Sequence, residues 1–407
     1  MLSKTEKFVF FYLIPLMNVF FYINTNLLQN IFSSDILYAI ILIIISLYFF
    51  LNIYKRKKDE LISILFVFSI IILIMGTFTY LKYEYFDVKT IKIILSNLFL
   101  IFGMYVVKTE KDFVAMMKGS FFAFLLFIIN IFIYNYFSLG TSTAYNIDVE
   151  FSFGGQGINT VQLLPYFILS SLFFFTRDEF NKFYKIIIIL LITYSSFLLV
   201  FSTKRGSLFA VILGFGYFFY KNKANLKTIL IVVFLLAGLF FLVNKYSNQI
   251  ESVYEKREER VNFLADEKNL REEGRYMELI MIINEFNRNP WGFFLGNGIG
   301  AEYFISGNKR MIHADFNMIF YSMGFLGLII YILFFWIIIK KLLWFNKNSN
   351  YKLKNTLVTI AFIMIIDLLF VGLSGSFNVI QNRSFPLFYI GSALGLLQSY
   401  TFYPQNK

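Results

Sequence analysis

The side chains best suited to chemistry in this 407-residue chain lie in or beside one polar stretch, residues 244–315. It holds Gly274-Arg275-Tyr276, the run from Asn289-Pro290-Trp291 to Gly300, and His313, the only histidine in the sequence. An imidazole titrates near neutrality and is the commonest general base. His313-Ala-Asp-Phe-Asn317 opens directly onto an apolar run, which would set the imidazole at a membrane surface; the bland alternative is a surface histidine ahead of a helix. A second candidate is Phe201-Ser-Thr-Lys-Arg-Gly-Ser-Leu208, a short link between two apolar segments. Arg205 at a helix N-terminus would join a guanidinium fork to free backbone N–H groups, an arrangement that suits an anion. The alternative there is an interfacial anchor.

Other stretches carry weaker chemistry. Ser138–Thr160 contains no Lys or Arg and ends Phe153-Gly-Gly-Gln-Gly-Ile-Asn-Thr160, an ordinary turn with Asn159 near a helix N-cap. Asp148-Val-Glu150 within it could supply paired carboxylates. Gly296-Asn-Gly-Ile-Gly300 lets the backbone turn sharply or approach a ligand closely, and with no strand before it a dinucleotide site is not indicated. Residues 275–286 suit a helix in the membrane interface, with Glu278 and Glu285 off its apolar face. That helix should stop near Asn289-Pro290. Glu251–Arg271 mixes both signs of charge as a solvated helix would. Asp367, an acid near the middle of a helix, is either a hydrogen-bonded packing residue or a functional group.

These residues need a frame, and composition says which kind. The chain is 58% hydrophobic and 15% charged, where a soluble domain would carry about 25% charged residues. Runs such as Ile36–Tyr54, Leu61–Leu81 and Leu226–Val243 are apolar on every face. Spans of about 20 such residues match a bilayer core, and backbone polar groups in lipid must be satisfied internally, so the spans are helices. The expected architecture is all-α and polytopic, one integral membrane domain over residues 1–407 with about 12 transmembrane helices. They fall near 8–23, 36–54, 61–81, 91–107, 113–137, 161–176, 186–202, 207–220, 226–243, 316–339, 355–373 and 385–400. Residues 244–315 then form a large extracytoplasmic loop between the ninth and tenth helices.

Charge orients the frame. The 37 Lys and Arg outnumber 25 Asp and Glu, a balance that in a soluble protein would suggest nucleic acid. Here alternate loops collect about 20 cations against about 6 in the other short loops, the bias of a cytoplasmic side. Both termini are therefore expected in the cytoplasm, with the polar stretch outside the cytoplasmic membrane and no nucleic-acid partner. The chain has no cysteine, so disulfides and Cys-ligated metals are excluded. The apolar run after Lys4 and Lys7 has no small-residue cleavage site in Asn18–Asn26 and is expected to stay as the first helix.

Taken in order, these stretches resemble the O-antigen polymerase and O-antigen ligase superfamily (Wzy-like and ligase-like proteins). Ser202-Thr-Lys-Arg-Gly-Ser-Leu208 is similar to its Ser-x-Ser-Arg-Gly-x-x-Leu signature, with Lys204 in place of a small residue. Gly274-Arg275, Asn289-Pro290 and Gly296-x-Gly-x-Gly300 resemble its large-loop pattern. His313 and the downstream Gly324-Phe-Leu-Gly327 resemble its His-Asn helix start, with Ala314 where the family has Asn. Gly157-Ile-Asn159 matches an earlier Asn-containing element. The resemblance covers about residues 150–335. It implies a GT-C-like fold and metal-independent, cofactor-free, inverting glycosyl transfer from a polyprenyl-diphosphate-linked glycan. Arg205 and Arg275 would hold the diphosphate and His313 would be catalytic, with Asn159, Gln156 and Arg383 as candidate glycan contacts. Implied partners are the lipid-linked oligosaccharide, membrane lipid, a chain-length regulator and a flippase. Polymerase and ligase chemistry are not separated by these motifs. A polyprenyl-phosphate-sugar glycosyltransferase working through Asp148 and Glu150 and a lipid-linked oligosaccharide flippase are the rival classes.

Overall fold

The computed structural model describes residues 2–24, 34–55, 59–137, 139, 142–144, 147–149, 157–177, 179–202, 204–222, 274–304, 312, 314–373, 375 and 379–402, with 238, 240–241, 243–248, 250–252 and 254–255. The apolar runs form helices: α1 (Lys4–Ile23), α2 (Ser34–Asn52), α3 (Glu60–Tyr83), α4 (Lys89–Val106) and α5 (Glu110–Tyr136). A two-stranded antiparallel hairpin follows, β1 (Ser142–Ala144) and β2 (Ile147–Val149), with Thr143 opposite Asp148. Next come α6 (Leu164–Ser171) between two 3₁₀ segments, α7 (Lys182–Ser202) and α8 (Arg205–Asn222). The C-terminal part holds α9 (Gly274–Arg288), α10 (Pro290–Leu295), α11 (Asp315–Asn348), α12 (Lys354–Gly372) and α13 (Ile380–Phe402).

Among the described residues, seven helices are long and apolar enough to cross a membrane: α1, α3, α4, α5, α7, α11 and α12. Shorter apolar helices lie over Ile36–Asn52 and Thr160–Thr176. Helical segments thus occupy the other expected spans too, except 226–243, most of which lies outside the described residues. The chain is a helical membrane protein, and the small hairpin is the departure from an all-α pattern.

Ionic contacts gather the cation-rich loops at one end. Lys7 Nζ lies 2.7 Å from Asp112 at the start of α5. Lys341 Nζ lies 3.0 Å from Asp59, which caps α3 through its side chain. Arg177 pairs with Glu179 and approaches Glu110 at 3.6 Å. Loops that charge counting assigns to one side therefore meet one another.

The last helix runs through the middle. Every residue of α13 from Ile380 to Leu397 is buried, and its Gly391-Ser-Ala-Leu-Gly395 is a small-xxx-small pattern that lets helix backbones touch. A Cβ on Gly391 would sit 2.1 Å from the Leu100 carbonyl oxygen of α4, and one on Gly395 would sit 2.4 Å from that of Met104. Gly103 of α4 returns the contact against the Phe388 carbonyl oxygen at 2.3 Å.

The tenth expected span is not one continuous helix. Gly324 adopts φ 65° and ψ −166° and divides α11 into an upper part, 315–323, and a lower part, 325–348. Such a conformation is essentially restricted to glycine. Two carbonyls freed near the break accept hydrogen bonds from the glycine-rich run: Asn297 N–H donates to Tyr321 O and Gly298 N–H to Ser322 O, both at 3.0 Å. Gly296, Gly298 and Gly300 all have positive φ, and a Cβ on Gly296 would lie 2.3 Å from Ser322 O. The run packs against protein, Gly296 on the backbone of α11, Gly298 on Thr79 and Gly300 on Asp87, and not against the open space that a ligand site would need.

This packing sets depth. Lys340 and Lys341 mark one edge of the apolar zone, and Phe325 lies about 22 Å along the helix from them, inside a hydrocarbon core of about 30 Å. Phe293 of α10 stacks on Phe325 with centroids 5.9 Å apart. The segment after α9 is therefore re-entrant, and its backbone at that depth is buried in protein over residues 296–300, as lipid requires. A buried ionic clamp fixes its far end: Lys89 Nζ, at the start of α4, lies 3.1 Å from Glu302 and 3.6 Å from Asp87.

Two expectations test this arrangement. Gly324→Ala would place a Cβ 2.5 Å from Phe294 backbone atoms and should destabilise the detergent-solubilised protein by about 3 kcal/mol or more. Gly216→Ala, where a Cβ meets nothing within 4 Å, should leave its thermal midpoint unchanged or raised. Lys89→Met strands two buried carboxylates and should cost about 3–5 kcal/mol. Glu302→Gln, which leaves Lys89 beside Asp87, should cost less in the same thermal unfolding measurement.

Candidate functional site

The turn between α7 and α8 is built by Ser202. Its buried hydroxyl donates to Leu199 O at 2.9 Å and accepts from Lys204 N–H at 3.4 Å, which ends one helix and admits the next. Arg205 is the first residue of α8 and is exposed, with no hydrogen bond or ion pair to any described residue. The first backbone N–H groups of a helix lack intrahelical acceptors. A guanidinium therefore stands at a helix N-terminus, as the sequence leads one to expect.

α9 begins at Gly274, so Arg275 lies in its first turn; the Arg275 side chain lies outside the described residues. The helix stops before Pro290, as expected, but its faces differ from the amphipathic reading. Glu278, expected off the apolar face, is buried on one stripe with Ile282 and Phe286, while Leu279 and Ile283 are exposed. The stripe facing the protein carries a carboxylate and the outward one is aliphatic. In an interfacial helix beside a membrane protein the outer face meets lipid, so the usual soluble pattern is reversed. Trp291, Phe294 and Leu295 of α10 extend that exposed apolar surface.

His313 lies outside the described residues, as do Gln156 and Glu150. Its neighbours Ile312 and Ala314 are buried, and Ala314 is the N-cap of α11. Asp315, the first residue of α11, is 1% exposed and pairs with the 0% exposed Arg383 at 3.4 Å. The same Arg383 Nη1 donates to Tyr331 Oη at 3.1 Å, and Nη2 donates to Asn97 Oδ1 at 3.5 Å. Arg383 is thus engaged by side chains of α4 and α11.

Asn159 falls in the 3₁₀ segment Gly157–Leu163, with its side chain outside the described residues. Gln162 of that segment accepts from Asn382 Nδ2 at 3.0 Å, so the elements carrying Asn159 and Arg383 meet. Asp148 sits in β2, and Asp367 is buried in α12 with an Oδ1 that lacks a hydrogen-bond partner. Near the clamp, burial, opposed by the Lys89 ammonium, holds the Tyr303 phenol above its ordinary pKa.

The end of α12 joins these parts. Phe209, one turn into α8, packs on Phe370 with centroids 6.3 Å apart, and a Cβ on Gly372 would lie 3.0 Å from Asp315 Oδ2. The helix start bearing Arg205 and the one that follows His313 therefore flank the same terminus. Asp315, Asn97, Tyr331, Lys89 and Glu302 were not singled out by sequence. Asp315 carried a signal in its place two residues after His313, whereas Asn97 and Tyr331 read as ordinary span residues.

No curated protein matches the chain. Residues 187–332 match a family model, Wzy_C, described as O-antigen ligase; the match takes in Arg205, Arg275 and His313 and stops short of Arg383. Over that region the chain is similar to the O-antigen ligase family.

Proposed function

We propose that the chain is a cell-surface polysaccharide polymerase, which transfers a growing polyprenyl-diphosphate-linked glycan onto the next lipid-linked repeat unit. The observation that carries this reading is the family match itself, which runs in order through Arg205, Arg275 and His313. The coarser statement, a ligase- or polymerase-like membrane glycosyltransferase, follows from the family.

In the reaction the bond between the donor's anomeric carbon and its diphosphate oxygen breaks. The acceptor hydroxyl attacks from the opposite face and inverts the centre. The departing polyprenyl diphosphate takes the electron pair, and the acceptor proton passes to His313. Developing charge on the leaving group is what most needs stabilising. Arg205, exposed at the N-terminus of α8, suits one side of a diphosphate, and Arg275 would close the other with a second guanidinium. Charge neutralisation by two such forks removes the need for a divalent ion. The polyprenyl tail would lie in the bilayer along the spans and beside the exposed apolar face of α9 and α10. The site would open outside the cytoplasmic membrane, with both termini in the cytoplasm. A flippase that delivers repeat units and a chain-length regulator are partners this role would call for.

The second reading is a ligase that moves the finished chain onto a lipid A core or another acceptor, and the description of the matching family as O-antigen ligase favours it. Supplied with purified lipid-linked repeat units alone, a polymerase makes a ladder of products, whereas a ligase makes none until the other acceptor is added. In that assay His313→Ala should lose about 10²–10⁴-fold in rate. Arg205→Ala and Arg275→Ala should shorten or abolish polymer at matched membrane expression. Arg205→Lys should also fail, because a point charge does not reproduce a planar fork. Full-length polymer from all three alanine variants would refute the assignment.

A further inference from the structure

We propose that the outward face of α8 seats the hydrocarbon tail of the polyprenyl diphosphate, which runs down from Arg205 and lodges in a notch at Gly216. This inference deepens the proposed function and rests on its diphosphate-linked donor. It names the span, and the residues on that span, that the tail follows.

The two sides of α8 are sharply sorted. Arg205, Phe209, Ile212, Leu213, Gly216 and Tyr220 are all exposed. Their positions, i, i+4, i+7, i+8, i+11 and i+15, place them on one side of a helix. Ser207, Ala210, Val211, Gly214 and Phe218 are buried on the opposite side. A guanidinium at the head of the helix therefore stands directly above a strip of apolar side chains. That is the complement of an amphiphile with an anionic head and a hydrocarbon tail. α12 walls the strip on one side, where Phe370 packs on Phe209 with centroids 6.3 Å apart and Phe362 on Tyr217 at 5.8 Å.

Gly216 gives the strip its shape. Gly214, two residues earlier, is a packing residue, since a Cβ there would lie 2.4 Å from Leu169 of α6. Gly103, Gly391 and Gly395 likewise let α4 and α13 touch. A Cβ on Gly216 meets nothing within 4 Å, so helix packing does not require this glycine, although glycine weakens a helix interior. What it leaves is a recess in the lipid-facing strip, between Ile212 and Leu213 above and Tyr220 below.

Depth and shape decide which lipid fits. Gly216 lies about 16 Å along the helix from Arg205, near the middle of a hydrocarbon core of about 30 Å. An acyl chain of the outer leaflet ends near that plane, whereas a polyprenyl tail is longer than a leaflet is thick and continues past it. Each isoprene unit also carries a branch methyl that fills a recess better than a smooth acyl chain does. Lipid surrounds the strip in either case, so the preference comes from packing and not from removal of water.

The test measures binding to the purified protein in phosphatidylcholine nanodiscs. Its two main probes are a long-chain polyprenyl diphosphate and dimethylallyl diphosphate, whose single isoprene unit ends well above Gly216. In Gly216→Leu the long-chain probe should bind about tenfold more weakly, a misfit of the size that overpacking produces. The short probe should bind as it does to the parent, and the thermal midpoint without ligand should not change. Ile74→Trp, on α3 at a side chain 57% exposed, adds bulk to another lipid-facing surface and should alter neither binding nor midpoint. Equal binding of the long-chain probe to Gly216→Leu and the parent overturns the proposal. So does a matching loss for the short probe, which would place the damage at the head group. A lowered midpoint would make Gly216 a packing residue and overturns it as well. Phosphatidylglycerol serves as a third probe, with an anionic head and acyl chains. The same loss for it would make the face a general lipid contact, again against the proposal.

Arg205→Ala separates this inference from the reading beneath it, and should weaken both diphosphates. If it weakens neither while Gly216→Leu still loses the long-chain probe, the tail track stands and the diphosphate assignment of Arg205 falls. A parent that binds neither diphosphate refutes the proposed function, and the tail track with it.

Discussion

Two backbone carbonyls, those of Tyr321 and Ser322, impose the constraint on which the outer half of this molecule is built. In hydrocarbon there is no water to meet them, and each left unmatched costs several kcal/mol. A helix broken at Gly324 must therefore find donors from elsewhere in the chain. Asn297 and Gly298 supply them, which requires the chain after α9 to turn back into the apolar zone with its backbone pressed against α11. Gly296 follows from that closeness, because any side chain there would meet the carbonyl being satisfied, while Gly298 and Gly300 are crowded by Thr79 and Asp87. The exposed aromatic surface of α10 follows too, since a segment held at that depth must show apolar atoms to lipid.

Burial sorts the cations of this half by task. Lys89 and Arg383 are sunk among carboxylates and phenols and are held by protein groups. They join elements distant in sequence, the starts of α4 and α11 and the first turn of α13. Arg205 is different in kind: it stands exposed at a helix start, free of described partners, where an anion would be met by both charge and backbone donors. The same residue type is thus a rivet in one place and a solvent-facing charge in the other, and burial decides which.

Much of the frame is legible in the sequence because bilayer spans obey a simple rule of length and apolarity. The interfacial helix 274–288 and its stop before Pro290 are equally plain, since proline acts locally. What could not be read depends on contacts far apart in the chain. Gly324 looks like any glycine in an apolar helix until the donors from residues 297 and 298 are in place. Glu278 looks like a solvated residue because helical periodicity assumes water on the polar face, and here lipid takes that side. Arg383 looks like a ligand group because no acid lies near it in the sequence; it pairs with Asp315, 68 residues earlier. The Asp315 side of that pair was visible only as one acid beside the singular histidine.

The remoteness of Arg383 bears on how the protein is made. A ribosome delivers α11 to the bilayer well before α13, and through that interval Asp315 stands at the head of a segmented helix without Arg383. The last helix brings both the guanidinium and the glycine face that seats against α4. Biogenesis thus ends by locking the head of α11, so a nascent or prematurely halted polypeptide would carry Asp315 without the contacts that hold it in the finished protein.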